Sequence, residues 1–116
     1  MDLQLNGSRV LVLGVAYKKD IDDLRESPAL TIIDVLRREG AEVSYHDPYF
    51  KHIGTGRHYN LQMTCAPLDQ LEQYDCVLIV TDHSTYDYPE IVKAAQLVVD
   101  TRNATRGLHS ANIVHC

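Results

Sequence analysis

Cationic side chains of two kinds follow apolar stretches of this 116-residue sequence. Tyr17 and Lys18 come shortly after Gly14, Arg25 lies further along the same segment, and Arg102 follows a later apolar stretch. Lysine acts as a mobile point charge and arginine as a two-pronged donor, so on separate loops above one sheet edge they form a clamp for a phosphorylated ligand. A tyrosine adds a flat face or a hydroxyl for a base or a sugar. These residues therefore predict a site for a phosphorylated ligand.

The first elements that must position these side chains are predicted to be a strand, a helix and a strand. Residues 9–14 form an apolar run typical of a strand buried on both faces. Ser27 is a suitable N-cap and Pro28 suits the first helical position, while Gly40 ends the helix. Residues 42–46 predict a second strand, which a helical crossover places parallel to the first.

The rest of the chain continues this alternation without a repeat, a low-complexity segment or a linker. Strands are predicted at 76–81 and 97–100, a helix at 88–95, a brief helix around 68–71, a short strand at 61–64, an edge strand at 112–116 and a loop at 49–60. The predicted fold class is α/β, a doubly wound, mainly parallel, Rossmann-like sheet in three αβα layers. Its length predicts a single domain over residues 1–116.

In such sheets, ligands bind beyond the carboxyl ends of the strands, where the strand order reverses. Polar residues follow each predicted strand there: Tyr17 and Lys18, then Asp47, then Asp82, His83 and Ser84, then Thr101, Arg102 and Asn103. For any one of these groups, loop solvation or helix capping is the commoner explanation, and His83 in particular either satisfies a loop carbonyl or donates to a ligand. The convergence of several groups at one edge favours a binding site.

Composition excludes several other classes of function. The net charge of −5 and the pI of about 5.6 do not support a nucleic-acid surface. No apolar run reaches the roughly 20 residues of a membrane span, and no signal-peptide pattern begins the sequence, so a cytoplasmic location is expected. Cys65, Cys76 and Cys116 form no CxxC pair, and the histidines lack metal-ligand spacing, so neither a disulfide framework nor a metal site is predicted.

Two other nucleotide- or phosphate-related folds are disfavoured. Asp47 occupies the position of the acidic residue that holds the ribose of NAD, but the GVAYKK turn lacks the glycines that let a backbone approach a pyrophosphate. Asp22 and Asp23 resemble the paired acids of a receiver domain only faintly, because they do not directly follow the strand.

Three motifs occur in order along the chain. They are LGVAYKKDIDDLRESPALTIIDVLRREGAEVSYHDPY, YDCVLIVTDHSTYDY and LVVDTRNA. Together they resemble the C-terminal, UDP-binding domain of the UDP-glucose/GDP-mannose dehydrogenase family, over about residues 7–106. The forms DDLRESPA, TDHS-x-x-DY and DTRN are most similar to the branch that oxidises UDP-N-acetylhexosamines.

The resemblance implies an activity and a role for each cation. Members of the family oxidise the C6 alcohol of a nucleotide sugar to a carboxylate, with two molecules of NAD and a cysteine thiol, in polysaccharide biosynthesis. Lys18 of the AYK motif and Arg102 of the DTR motif would contact the UDP-sugar, and Tyr17 would line the same cleft. Arg25 of the RESP motif would lie at the domain junction and reach NAD bound by a partner domain.

The sequence also departs from the family pattern. It lacks the family's NAD-binding domain and the glycine-rich motif of the catalytic cysteine, so no catalytic residue is expected, and the chain is a fragment, a split gene product or a relic. Alone it is expected to bind UDP-type ligands at roughly millimolar affinity, without turnover and without NAD of its own, unless another chain supplies the missing domains. The alternatives are an assembly or regulatory module that docks a partner protein without nucleotide, and an independent NAD-binding domain.

Overall fold

The computed structural model describes residues 7–16, 28–56 and 59–115. In chain order its elements are β1 (Arg9–Leu13), α1 (Pro28–Arg38), β2 (Glu42–His46), β3 (His52–Gly56), β4 (Tyr59–Thr64), a 3₁₀ turn (Leu71–Gln73), β5 (Cys76–Ile79), α2 (Tyr88–Ala94), β6 (Val98–Asp100) and β7 (Ile113–His115). Among the described residues, neither helix has the length and apolar character that a membrane span requires.

The main sheet has five parallel strands in the order β2-β1-β5-β6-β7. Strand β1 lies inside the sheet, and its Val12 is paired with Tyr45 of β2 on one side and with Leu78 of β5 on the other. After β1 the chain moves to β2 on one side, and it later returns to β5 on the other side. The strand order therefore reverses between β1 and β5, and the predicted doubly wound α/β class is confirmed.

Each face of the sheet is covered by a different helix, because successive side chains of a strand point to opposite faces. On one face, Val12 and Tyr45 pack with Ile33 of α1. On the other face, Leu11 packs with Ile91 of α2. The result is the predicted arrangement of three layers.

The first helix begins and ends where the sequence predicts. Pro28 is its first residue, and Arg37 and Arg38 lie in its last turn, where a cation complements the negative end of the helix dipole. Gly40 follows and donates a backbone hydrogen bond to the Arg37 carbonyl at 3.0 Å. Ser27, the predicted N-cap, lies outside the described residues.

The prediction of a loop over residues 49–60 is wrong. Strands β3 and β4 pair as an antiparallel hairpin with an irregular register between Ile53 and Thr55, and β4 begins before the predicted 61–64. Ile53 and Met63 are buried in the core on the α1 side of the sheet. Tertiary packing of these two side chains stabilises the hairpin, whereas the glycines of this segment interrupt the alternation that predicts a strand.

The other predicted elements are present with small differences in length. The brief helix predicted around 68–71 is the 3₁₀ turn, the strand predicted at 76–81 ends at Ile79, and the predicted edge strand is β7.

Gly14 joins the ends of β1 and β5 at close range. Its φ is +87°, and a Cβ atom there would lie 2.3 Å from the carbonyl oxygen of Thr81. On the β5 side, the amides of Val80 and Thr81 donate to the Leu13 carbonyl at 3.0 and 3.3 Å. Only glycine combines this backbone conformation with this approach.

We expect Gly14→Ala to lower the free energy of unfolding by roughly 2–5 kcal/mol, because a left-handed conformation costs about 1–2 kcal/mol and overpacking adds about 1–3 kcal/mol. Gly107→Ala is the matched control: its φ is +83°, but nothing lies within 4 Å of the added Cβ, so only the conformational cost applies. Urea unfolding of both variants measures the difference. Equal losses would show that the contact with Thr81 is unimportant.

Candidate functional site

The candidate site is the crevice at the carboxyl ends of β1 and β5, where the strand order reverses. Val15 and Ala16 follow β1 and are buried. The Thr81 hydroxyl, beyond β5, donates to the Ala16 carbonyl at 2.7 Å. This bond and the close approach at Gly14 fix the point at which the chain leaves the sheet towards Tyr17 and Lys18.

A buried carboxylate at the end of β2 holds this same point. Asp47 is 2% exposed, and its Oδ2 accepts hydrogen bonds from the amides of Val15 at 2.8 Å and Ala16 at 3.1 Å. Its Oδ1 accepts from the Tyr49 amide at 2.8 Å. Nε2 of His83, a residue with 0% exposure, lies 2.8 Å from Oδ2. Since an ionised carboxylate only accepts, Nε2 carries the proton.

Hydrogen bonds stabilise the ionised form of Asp47 against the effect of burial. Burial alone would raise its pKa, but the bonds from His83, Tyr49 and Val15 outweigh burial and hold the pKa below the ordinary value. Burial also lowers the pKa of the neighbouring His46, against the attraction of Asp47. The carboxylate is thus a fixed, internally satisfied negative charge.

A second buried carboxylate organises the loop after β6. Oδ1 of Asp100 accepts from the amides of Arg102 at 3.0 Å and Ala104 at 3.1 Å. Its Oδ2 accepts from the amide and the hydroxyl of Thr105 at 2.8 and 2.6 Å. Burial opposes ionisation here too, but the bonds from Thr105, Arg102 and Ala104 lower the pKa of Asp100. Asn103, within this loop, has a φ of 58°.

This loop directs Arg102 towards the crevice. Its Nε donates to the carbonyl of Val80 at 2.8 Å, so the guanidinium lies across the end of β5, next to β1. Within the described part of the chain, its two terminal amino groups make no hydrogen bond or ion pair. The group is exposed, anchored at one nitrogen and able to donate in pairs to an anion.

Of the other predicted site residues, some lie within the described part of the chain and some do not. Tyr17, Lys18 and Arg25 lie outside the described residues, so their meeting with Arg102 stays a prediction. Asp82 and Ser84 line a cleft of about 300 Å³ beyond β5 and β6, together with Tyr88, Ala104 and Arg106.

The roles of Asp47 and His83 differ from the expectations of the sequence. Nε2 of His83 bonds the Asp47 carboxylate, a partner that the sequence did not suggest. Both oxygens of Asp47 already accept from the protein, so the carboxylate does not fit the ribose-binding role of a primary NAD site. Together with the missing glycines, this argues against an independent NAD-binding domain.

Sequence reasoning missed the buried pair of Asp47 and His83, because 36 residues separate its members. The Asp100 cap had a usable local signal, since aspartate readily accepts from amides a few residues further along a turn.

Cys65 is half-buried and Cys76 is buried, both as free thiols. Across the described ranges, no group of three histidine, cysteine or acidic residues is placed to hold a metal ion.

The parallel sheet and its reversal of strand order define a Rossmann-like α/β domain, a class in which ligands bind at the carboxyl edge of the sheet. The model of the UDP-glucose/GDP-mannose dehydrogenase family, UDP binding domain, matches residues 11–107. The chain therefore belongs to this family, as its UDP-binding domain.

Individual relatives agree with this assignment. The chain is similar to the UDP-glucose 6-dehydrogenase of Pseudomonas aeruginosa, with 32% identity over 84% of this chain and 24% of the relative. It is also similar to the UDP-N-acetyl-D-mannosamine dehydrogenase of Pyrococcus horikoshii, with 33% identity over 81% of this chain and 21% of the relative. A solved structure of UDP-D-ManNAc dehydrogenase from Pyrococcus horikoshii superposes with a TM-score of 0.73 at 25% identity, over 97% of this chain and 26% of that chain. The chain thus spans about a quarter of the length of these relatives.

We expect the stability of the protein to fall in acid because both strand-end carboxylates have lowered pKa values. Their stabilising contribution is complete above the ordinary value of 3.8 and is lost as the pH falls through the lower values of the folded state. Asp100→Asn should lower the free energy of unfolding at pH 7 by roughly 3 kcal/mol. The side-chain NH₂ group of asparagine cannot accept the hydrogen bonds that one carboxylate oxygen of Asp100 accepts. The substitution should also make the free energy of unfolding fall less steeply as the pH is lowered.

Urea unfolding at a series of pH values measures both effects. Asp69→Asn, at an exposed aspartate in the turn before the 3₁₀ helix, is the matched control and should change neither by more than about 0.5 kcal/mol. An Asp100→Asn variant as stable as the control would contradict the assigned role of this carboxylate.

Proposed function

We propose that the chain is the nucleotide-sugar-binding domain of an NAD-dependent UDP-sugar 6-dehydrogenase and that its sugar is a UDP-N-acetylhexosamine. The family assignment supports the nucleotide, and the similarity to UDP-N-acetyl-D-mannosamine dehydrogenases supports the hexosamine. The whole reaction would oxidise the C6 hydroxyl of the sugar to a carboxylate. A cytoplasmic location, and NAD-binding and catalytic domains covalently attached or on another chain, belong to the same proposal.

The observation that carries this proposal is the position of Arg102. Its guanidinium is anchored through Nε at the end of β5, and its terminal amino groups make no hydrogen bond or ion pair with the described residues. Paired donors of this kind suit the oxygens of a diphosphate. The loop beneath is fixed by the Asp100 carboxylate, so little conformational freedom is lost when a ligand binds.

The other cations would complete the site. Lys18 departs from the fixed backbone of Val15 and Ala16, and we assign it the second contact with the diphosphate. Tyr17 would line the same cleft beside the sugar or the base. Arg25 would face NAD at the junction with a partner domain.

The described residues contribute binding and orientation rather than bond breaking. NAD, when bound by another domain, supplies the hydride acceptor. Cys76 lies in the core of β5 and Cys65 is half-buried beside the Asp47 carbonyl, so we assign the nucleophilic thiol of the family to neither. We therefore propose that this chain holds the nucleotide end of the substrate and that turnover requires the other domains.

Titration of the isotope-labelled chain with UDP, UMP and uridine tests the proposal. We expect amide shifts at Ala16 and Arg102, with an affinity that rises from uridine to UDP because the diphosphate makes the charged contacts. Binding should weaken as salt is added. No response to millimolar UDP would contradict nucleotide binding and would favour the assembly module.

Arg102→Leu should weaken UDP binding by roughly 10- to 150-fold, the equivalent of losing one charged hydrogen-bond pair. Arg9→Leu is the matched control, because it removes the same charge from the opposite end of the sheet, at the start of β1. Its affinity for UDP should stay within about twofold of the parent chain. Equal weakening by the two substitutions would show that the effect is only one of net charge.

A further inference from the structure

The pair of Asp47 and His83 offers a role beyond the contacts proposed above. One carboxylate oxygen accepts from three donors at once: the amides of Val15 and Ala16, and Nε2 of His83. Both side chains of the pair are buried, so water does not compete for these bonds. The backbone of Val15 and Ala16 is thereby bonded to a charge that His83 also bonds.

His83 is itself held from several sides. Its ring lies 4.9 Å from the ring of Tyr49 and 5.9 Å from that of Tyr86, measured between centroids. The Tyr88 hydroxyl donates to the backbone carbonyl of His83 at 2.9 Å. A ring enclosed in this way keeps one rotamer and presents Nε2 to Asp47. Because the exposure of His83 is 0%, its ring cannot touch a substrate.

We propose that His83 is a positioning residue for nucleotide-sugar binding, acting through Asp47 on the backbone at Val15 and Ala16 and so on the placement of Lys18. This inference rests on the proposed function. It gives β2 and β5 a part in substrate binding, although neither Asp47 nor His83 contacts the ligand.

The proposal predicts different results for two substitutions at one position. His83→Leu removes the donor to Asp47, whereas His83→Gln keeps an N–H donor at a similar reach. UDP affinity should fall at least tenfold in His83→Leu and recover to within about threefold of the parent in His83→Gln. His46→Leu is the matched control, since this neighbouring histidine bonds Tyr86 rather than the Asp47 carboxylate, and it should change affinity by less than threefold.

A double-mutant cycle separates positioning from general damage to the fold. If His83 acts through Lys18, His83→Leu should have little further effect on UDP affinity in a Lys18→Met background. In an Arg102→Leu background it should keep its full effect, because the Arg102 loop is held by Asp100. Equal tenfold effects in both backgrounds would overturn the proposal and leave His83 a structural residue.

A readout that needs no ligand distinguishes this proposal from the proposed function. Amide hydrogen exchange at Val15 and Ala16 should accelerate at least tenfold in His83→Leu but not in His83→Gln, while the amides of β6 keep their protection. Unchanged exchange at these two amides would overturn the positioning role even if the chain binds UDP. If His83→Leu does not fold, the His83 ring of the parent chain decides: ¹⁵N spectra should show a protonated Nε2, and a bare Nε2 would contradict the bond to Asp47.

Discussion

The carboxylates of Asp47 and Asp100 lie buried at the carboxyl ends of two parallel strands, each at most 2% exposed, and each accepts several hydrogen bonds from a neighbouring loop. Burial of an unsatisfied charge would be prohibitive, so each carboxylate stays ionised only while these loops keep their present backbone. These carboxylates fix two loops. The segment after β1 precedes Lys18 in the sequence, and the loop after β6 carries Arg102. In the proposed function, the placement of both cations depends on these two anions, although neither anion would contact the ligand.

Asp47 differs in role from the acidic residue at the same position of a dinucleotide-binding domain. An acid at the end of the second strand holds the ribose in a dinucleotide domain, whereas here Asp47 bonds Val15, Ala16 and His83. The absence of a side chain at Gly14 lets the Thr81 backbone approach closely, so this space is already filled by the chain and is not open to a pyrophosphate. We propose that binding depends instead on side-chain cations; the chain belongs to its family as the UDP-binding domain.

The fold was predictable because its buried strands are continuous apolar runs, such as residues 76–79, and because Pro28 and Gly40 mark the start and the end of the first helix. The hairpin was not, since its stability comes from the burial of Ile53 and Met63 against distant elements. In the site, the strand-end position identified Arg102 as a candidate. The buried pair of Asp47 and His83 and the anchor of Arg102 on Val80 were not predictable, because they join residues far apart in sequence.

We propose that cations from two loops meet above one edge of the sheet and bind a diphosphate between them. A crystal structure of the chain with UDP tests this most directly. We expect the diphosphate above the ends of β1 and β5, with Arg102 and Lys18 each within about 3 Å of its oxygens. Density for UDP elsewhere, or side chains of these two residues on opposite sides of the molecule, would contradict it.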